Sequence, residues 1–428
     1  MTISQRAVDT TADTPADTVA YPRLGVAMLI LTPFGLGYFM SYMFRAVNAV
    51  VAPNLIAEVG LTAAELGLLT AAYLMSFAAF QLPLGILLDR FGPRRVQACL
   101  LLCAGVGALL FSIGNGALSL AAARALIGLG VAGGLMASFK AIVVWVEAPR
   151  RPLANACVMS FGALGLIVAT VPMDWAVAQF GWRTTFAGLA AATFSVAGLI
   201  AVAVPERRQT VAPAPLREQI REVGAIYSDR AFLGLAPMLG ATAGTHIAIQ
   251  TLWAGPWFRD VAGLDRAGVA HQLLLMAIAF FVGILFTGIV ADRLVKRGVG
   301  VLTILLSFIV MFLLAQSMLL LGQSVLTGPA WILFGMLGQV AILAFPWLAS
   351  HFGAARSGRA STAMNLVIFS SAFALQAGIG AVIDLYPRSP GGGYAPEGYR
   401  TAFGACLALE LLTLGWYLWS RQRGTGRP

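Results

Sequence analysis

Five ionisable side chains stand inside long apolar stretches of this chain: Arg45, Arg124, Lys140, His246 and Glu410. An ionisable group is costly in hydrocarbon, so each is a functional suspect by default. A guanidinium keeps its charge and can fork two hydrogen bonds onto one carboxylate or phosphate. Arg45, in Phe44-Arg45-Ala46-Val47-Asn48, therefore either meets a substrate anion or snorkels to the nearer membrane interface. Lys140 is either a second cation for such an anion or a side chain reaching the headgroups. His246 has the side chain that titrates nearest physiological pH, and in a regular helix it shares a face with Gln250. It is read as a proton carrier or as a hydrogen-bonded packing histidine. Glu410, the one acid deep in a span, is a further proton-carrying candidate. The cations outnumber that acid, which points to an anionic or anion-chelated solute.

The elements that must position these groups are membrane helices. Hydrophobic residues make up 59% of the chain and charged residues 11%, too few charges for a surface wetted on all sides. The apolar runs are long enough to cross a bilayer as helices and lack the alternation of a β-barrel. Twelve spans are expected, near 24–50, 62–88, 94–114, 118–146, 153–176, 183–204, 232–256, 269–291, 299–321, 328–350, 358–384 and 400–420. The polar, proline-bearing stretch 205–231 reads as a linker between an N-terminal bundle, 24–204, and a C-terminal bundle, 232–420. Residues 1–23 and 421–428 read as tails. Arg183, Arg259, Arg266, Arg388 and Arg400 fall on one side of the membrane. The far larger remainder of the loop Lys and Arg falls on the side of the termini, which makes that side cytoplasmic by the positive-inside rule. The net charge of +10 is thus spent on orientation, and no nucleic acid is implied.

One short motif is written twice. Gly85-Ile-Leu-Leu-Asp89-Arg90-Phe-Gly92-Pro-Arg94-Arg95 returns, loosened, as Gly288-Ile-Val-Ala-Asp292-Arg293-Leu-Val-Lys296-Arg297. Each copy closes an apolar segment, and the two lie roughly half a chain apart, as in a transporter built from two repeats. This loop resembles the signature of the major facilitator superfamily, as does Arg124-Ala-Leu-Ile-Gly128-Leu-Gly130 in the fourth span. The resemblance covers about residues 24–420. It implies an all-α integral membrane protein, with twelve transmembrane helices in two pseudo-symmetric six-helix bundles that alternate between outward-open and inward-open states. It further implies that Gly85, Asp89, Arg90, Arg94, Arg95, Gly288, Asp292 and Arg293 form the gating loops, with Asp89 and its arginines latching the cytoplasmic side. Arg124 matches a position linked to the central cavity and proton coupling, and Asn365 and Gln376 of the eleventh span would face that cavity. Arg45-x-x-Asn48 followed by Ala52-Pro53 resembles the anion–cation symporter branch, in which such an Arg meets the substrate.

Other readings stay open. Arg45-Ala-Val-Asn48, Gln81-Leu-Pro-Leu-Gly85, Trp253-Ala-Gly-Pro-Trp257 and the stretch 358–365 resemble a proteobacterial branch that includes magnetosome permeases, which implies iron supply in a magnetosome membrane. No carboxylate or histidine cluster suits naked iron, so a chelate fits better. Drug efflux loses ground because Gly162 to Pro172 lacks the Gly-Pro core of drug antiporters. A sensor or scaffold is disfavoured by the short linker and tails. The four cysteines lie in apolar runs without metal-ligand spacing. No nucleotide-binding loop is written, so neither a cofactor nor an enzymatic reaction is expected. The expected partners are a small-molecule substrate and membrane lipid, for a monomer in a bacterial inner membrane.

Overall fold

The computed structural model describes residues 24–147, 151–205, 221, 224–320, 326–338, 340–352, 354–389 and 393–424. Both tails and most of the 205–231 linker therefore lie outside the described residues, apart from Gly424 and its preceding turn. Among the described residues the elements are helical, and nine of the helices are long and apolar enough to cross a membrane. Helix α1 is Leu24–Val59; α2 (63–91) and α3 (93–113) form one run broken at Gly92; α4 is Ala117–Trp145. Helices α5 (151–180, interrupted by a turn at Ala169–Thr170) and α6 (182–203) are likewise separated at Gly181. The second half has α7 Arg230–Asp260, α8 Arg266–Lys296, α9 Val301–Leu320, α10 (327–337 and 340–352), α11 Ala354–Ile383 and α12 Pro396–Gly424. The spans match those expected, with ends a turn or more longer where charged residues continue the helix. Helix α12 runs through the turn assigned above to the C-terminal tail.

The breaks have local causes. Gly92 takes φ 77° and is followed by Pro93, whose fixed φ and missing N–H suit the first position of the next helix. Gly181 takes φ 76°, again a left-handed value that a Cβ would oppose. In α7, residues Ile249–Trp253 form a π-helical turn, and α10 narrows to 3-10 geometry at Val340–Leu343.

The two halves share a packing skeleton. A Cβ on Gly128 of α4 would strike the Tyr73 carbonyl of α2, and one on Gly335 of α10 would press on the Met276 carbonyl of α8. Tyr73 and Met276 are separated by the same offset as Gly85 and Gly288, so the repeated motif and the repeated helix crossing belong to one pseudo-symmetry. Small residues at such crossings let backbones touch in a medium that supplies no hydrophobic drive. Gly128→Val should therefore destabilise the folded protein by about 1–3 kcal/mol, the cost typical of overpacking. Gly335→Val should cost less, and Gly404→Val, at a position with open space around it, should be near neutral. Melting curves of the three variants beside the wild type in one detergent check this order.

Candidate functional site

Arg45 sits midway along α1, 9% exposed, where the two halves meet. Its guanidinium carbon lies 4.7 Å from the ring centroid of Tyr42, 5.3 Å from Phe77 of α2 and 5.1 Å from Phe369 of α11. Phe77 and Phe369 touch across the interface with centroids 4.5 Å apart. Tyr38, Tyr42 and Tyr73 are its polar neighbours, and its Nε has no hydrogen-bond partner. Among the described residues no carboxylate pairs with it. Snorkelling to an interface is thus not what this arginine does. It is held in mid-span by aromatic faces.

Further polar groups lie toward the end of the molecule that carries the α1–α2 turn. Asn48, one turn along from Arg45, donates to Thr70 Oγ1 at 2.9 Å and leaves its Oδ1 without a partner. The backbone of Gly255 packs on the Ala49 carbonyl, which sets α7 parallel to α1 and brings Gln250 about level with Arg45. Gln250 Nε2 and both amide atoms of Gln376 are buried without partners, although the Gln376 carbonyl accepts from Trp253 Nε1 at 3.1 Å. Asn365 and Lys140 are half-buried.

The other candidates divide by half. Arg124, fully buried, donates to the Phe44 carbonyl at 2.9 Å and lies over the Tyr73 ring at 4.7 Å, with Nε and Nη2 unmatched. His246 lies in the turn just before the π turn at Ile249–Trp253, which opens next to Gln250. The His246 ring lies among Phe280 (5.7 Å), Phe312 (6.2 Å) and Phe334 (5.2 Å), with Gly338 against it. Glu410 is 1% exposed and faces Thr245 and Gln316, without a hydrogen bond of good geometry to either.

Of the gating-loop residues, Arg94 donates to the Ala201 carbonyl near the end of α6, Arg90 stacks on Phe91 at 5.3 Å, and Asp292 pairs with Lys296 at 2.6 Å. Arg95 and Arg293 are exposed, and Gly85 and Gly288 have open space beside them. The Asp89 side chain lies outside what is described.

A feature that sequence reading missed closes the opposite face. Asp384, at the end of α11, accepts from the amides of Ala63 (2.9 Å) and Ala64 (2.5 Å), the first two residues of α2. Thr62 and Glu65 complete a capping box there, so the donors of this helix start are all satisfied, two of them by the other half. Arg388 donates to the Leu61 carbonyl at 3.2 Å, and Arg266 of α8 pairs with Asp174 of α5 at 2.6 Å. The segment bearing Asp384 and Arg388 is itself pinned, since Asp260 accepts from Tyr394 N and from the Tyr399 hydroxyl. Burial holds the Tyr394 phenol well above its ordinary pKa, so it stays neutral beside these charges. The sequence signal for this latch was slight, an Asp and an Arg flanking a Pro in a loop.

With this geometry in view, the relatives are informative. The family model of the Major Facilitator Superfamily matches residues 34–377, and the chain belongs to that family of membrane transporters. It is 27% identical over 292 residues to the probable sulfoacetate transporter SauU of Cupriavidus necator, covering 64% of this chain and 67% of that one. It is 26% identical over 402 residues to the niacin transporter NiaP of Acinetobacter baylyi, covering 90% and 84%. The chain spans about two thirds of the length of SauU and of other curated transporters it matches. A bacterial homologue of the human lysosomal transporter Spinster has the same fold, with a TM-score of 0.73 at 16% identity over 94% of this chain and 98% of that one.

Removing the trans cap is the direct probe of the closed face. Loss of an N-cap carboxylate costs about 0.5–2 kcal/mol. Asp384→Ala should therefore raise amide hydrogen exchange at the start of α2 by roughly tenfold, while Arg297→Ala, an exposed change at the far end, leaves it at the wild-type rate. Unchanged protection in Asp384→Ala would mean that water caps α2 equally well.

Proposed function

We propose that this secondary transporter carries small organic anions by alternating access, coupled to protons, with Arg45 as the group that receives the anion. The observation that carries the reading is a permanent cation buried at the meeting of the two halves with unmatched hydrogen-bonding capacity. A carboxylate or sulfonate supplies what that guanidinium lacks. The named cargoes of the two relatives, sulfoacetate and niacin, are both small acids that are anionic at neutral pH, which supports the same class. Asn48 and Gln250 flank the site, with Gln376 beyond them and Lys140 and Asn365 on the half-exposed side. In this reading the contacts of Asp384, Arg388 and Arg266 hold one face shut while the site communicates with the face carrying the repeated motif. That face is cytoplasmic by the arginine bias, which puts both termini inside a bacterial inner membrane and leaves the Asp89 and Asp292 loops to latch it in the alternate state. The protein acts as a monomer.

Proton handling falls to the second half. Glu410 is the buried acid best placed to change charge. His246 is hemmed by rings, and Arg124 sets the field in the first half. No specific observation favours iron, drug efflux or a scaffold.

Two outcomes are expected. In a thermal-shift screen, carboxylates or sulfonates raise the melting temperature of the wild type and leave Arg45→Ala unmoved, because only a ligand of the native state can stabilise it. Stabilisation by lipophilic cations alone, equal in both proteins, would sink the anion reading. In proteoliposomes, Glu410→Gln should keep counterflow exchange of the stabilising anion near wild type and lose the accumulation driven by an imposed pH gradient. Retained accumulation would remove Glu410 from coupling.

A further inference from the structure

We infer that the anion received by Arg45 is carried on a flat, apolar body, an aromatic or similarly unsaturated monocarboxylate, and not on a polyhydroxylated chain. This rests on the reading of Arg45 as the anion site and adds the uncharged part of the ligand. The rings and the Gln376 amide lie on opposite sides of Arg45. Toward the closed face stands the unmatched amide of Gln376, with the unmatched donor of Gln250 about level with Arg45. Toward the other face stand rings. Tyr42 is one turn back along α1, and Phe77 is one turn beyond Tyr73, whose hydroxyl donates to the Ser41 carbonyl and so fixes the level of α2 against α1. Phe369, in contact with Phe77, lies two turns before Gln376 on α11. Tyr42 continues the wall, its ring edge-on to Tyr38 at 5.1 Å and tilted to Phe280 at 6.3 Å.

A carboxylate that forks onto a guanidinium lies in the guanidinium plane. With its head at Arg45 and the Gln376 amide on one side, its body must extend past Tyr42 and the Phe77–Phe369 pair. A ring conjugated with the carboxylate continues that same plane and meets aromatic faces and edges, the contacts that aromatic pairs favour. A hydroxylated chain would place its hydroxyl groups there, and each needs a partner once it leaves water. The nearby polar groups are largely committed: Tyr73 to Ser41, Asn48 Nδ2 to Thr70, and the Gln81 amide to the Ala132 carbonyl. The hydroxyls of Tyr38 and Tyr42 remain, with Asn365 a turn before Phe369 and Lys140 on α4, fewer partners than the hydroxyls of a sugar acid require.

The test is a calorimetric titration of the intact protein in detergent with benzoate, pyridine-3-carboxylate, galactonate and sulfoacetate. Benzoate and pyridine-3-carboxylate should bind the wild type at least tenfold more tightly than galactonate or sulfoacetate. Phe369→Leu should weaken benzoate by roughly tenfold, as loss of an aromatic contact does, and sulfoacetate by less than threefold. The ligand ranking is read on the wild type alone, so a poorly folding variant leaves it intact. Galactonate or sulfoacetate binding more tightly than benzoate, and lost in Arg45→Ala, would overturn the flat body while keeping the anion site. Anion binding indifferent to Arg45→Ala, or absent for all four probes, would overturn both.

Discussion

A guanidinium in the middle of a membrane protein, with no carboxylate paired to it among the described residues, is the constraint on which the centre of this fold depends. Placing an arginine at mid-bilayer depth costs about 3 kcal/mol on insertion scales. A desolvated cation over one aromatic face recovers up to about 2 kcal/mol, so several rings are needed to make Arg45 tolerable without pairing it. Those rings come from α1, α2 and α11, and the last belongs to the other half. The set of rings around the charge is thereby complete only when the halves meet. Aromatic faces also do not consume hydrogen-bond donors, which leaves the edge of the guanidinium able to take an anion. A carboxylate partner would have stabilised Arg45 better and closed the site.

The molecule distributes its polar satisfaction unevenly. At the closed face every donor at the start of α2 has an acceptor, and Asp260 accepts from several groups at once. At the centre, Arg45 Nε, Asn48 Oδ1, Gln250 Nε2 and the Gln376 amide have none. Buried unmatched groups are expensive, so a cluster of them marks a place where something other than the protein completes the bonding. Order at one end and deficit in the middle are what a carrier with one shut gate requires.

The parts legible in the sequence were those with a one-dimensional signature. Span lengths, the doubled Asp-Arg loop and the buried ionisable residues all follow from hydropathy and spacing. The π turn did not, because Ile249–Trp253 reads like any apolar helix. The ring wall was also hidden, since Phe77 and Phe369 are ordinary residues of apolar runs until the fold brings them together. Asp384 caps an amide 321 residues away, and nothing local to either segment announces the pairing.

The pseudo-symmetry clarifies how two kinds of chemistry share one scaffold. Four residues before each equivalent crossing glycine stands Arg124 in the first half and Trp331 in the second, both fully buried. The skeleton is repeated, but the charge is not. Arg45, Arg124 and Lys140 belong to the first half, and His246 and Glu410 to the second. On the proposed assignment, anion and proton are therefore handled by different bundles. Direct electrostatic coupling would need the acid beside the arginine, yet Glu410 faces Thr245 and Gln316 inside its own bundle. What remains is coupling through the shared surface, the Phe77–Phe369 contact and the Asp384 cap on α2, both of which must change when one bundle rocks against the other. A proton on Glu410 then acts by altering how α7, α9 and α12 pack, which biases the interface that Arg45 occupies.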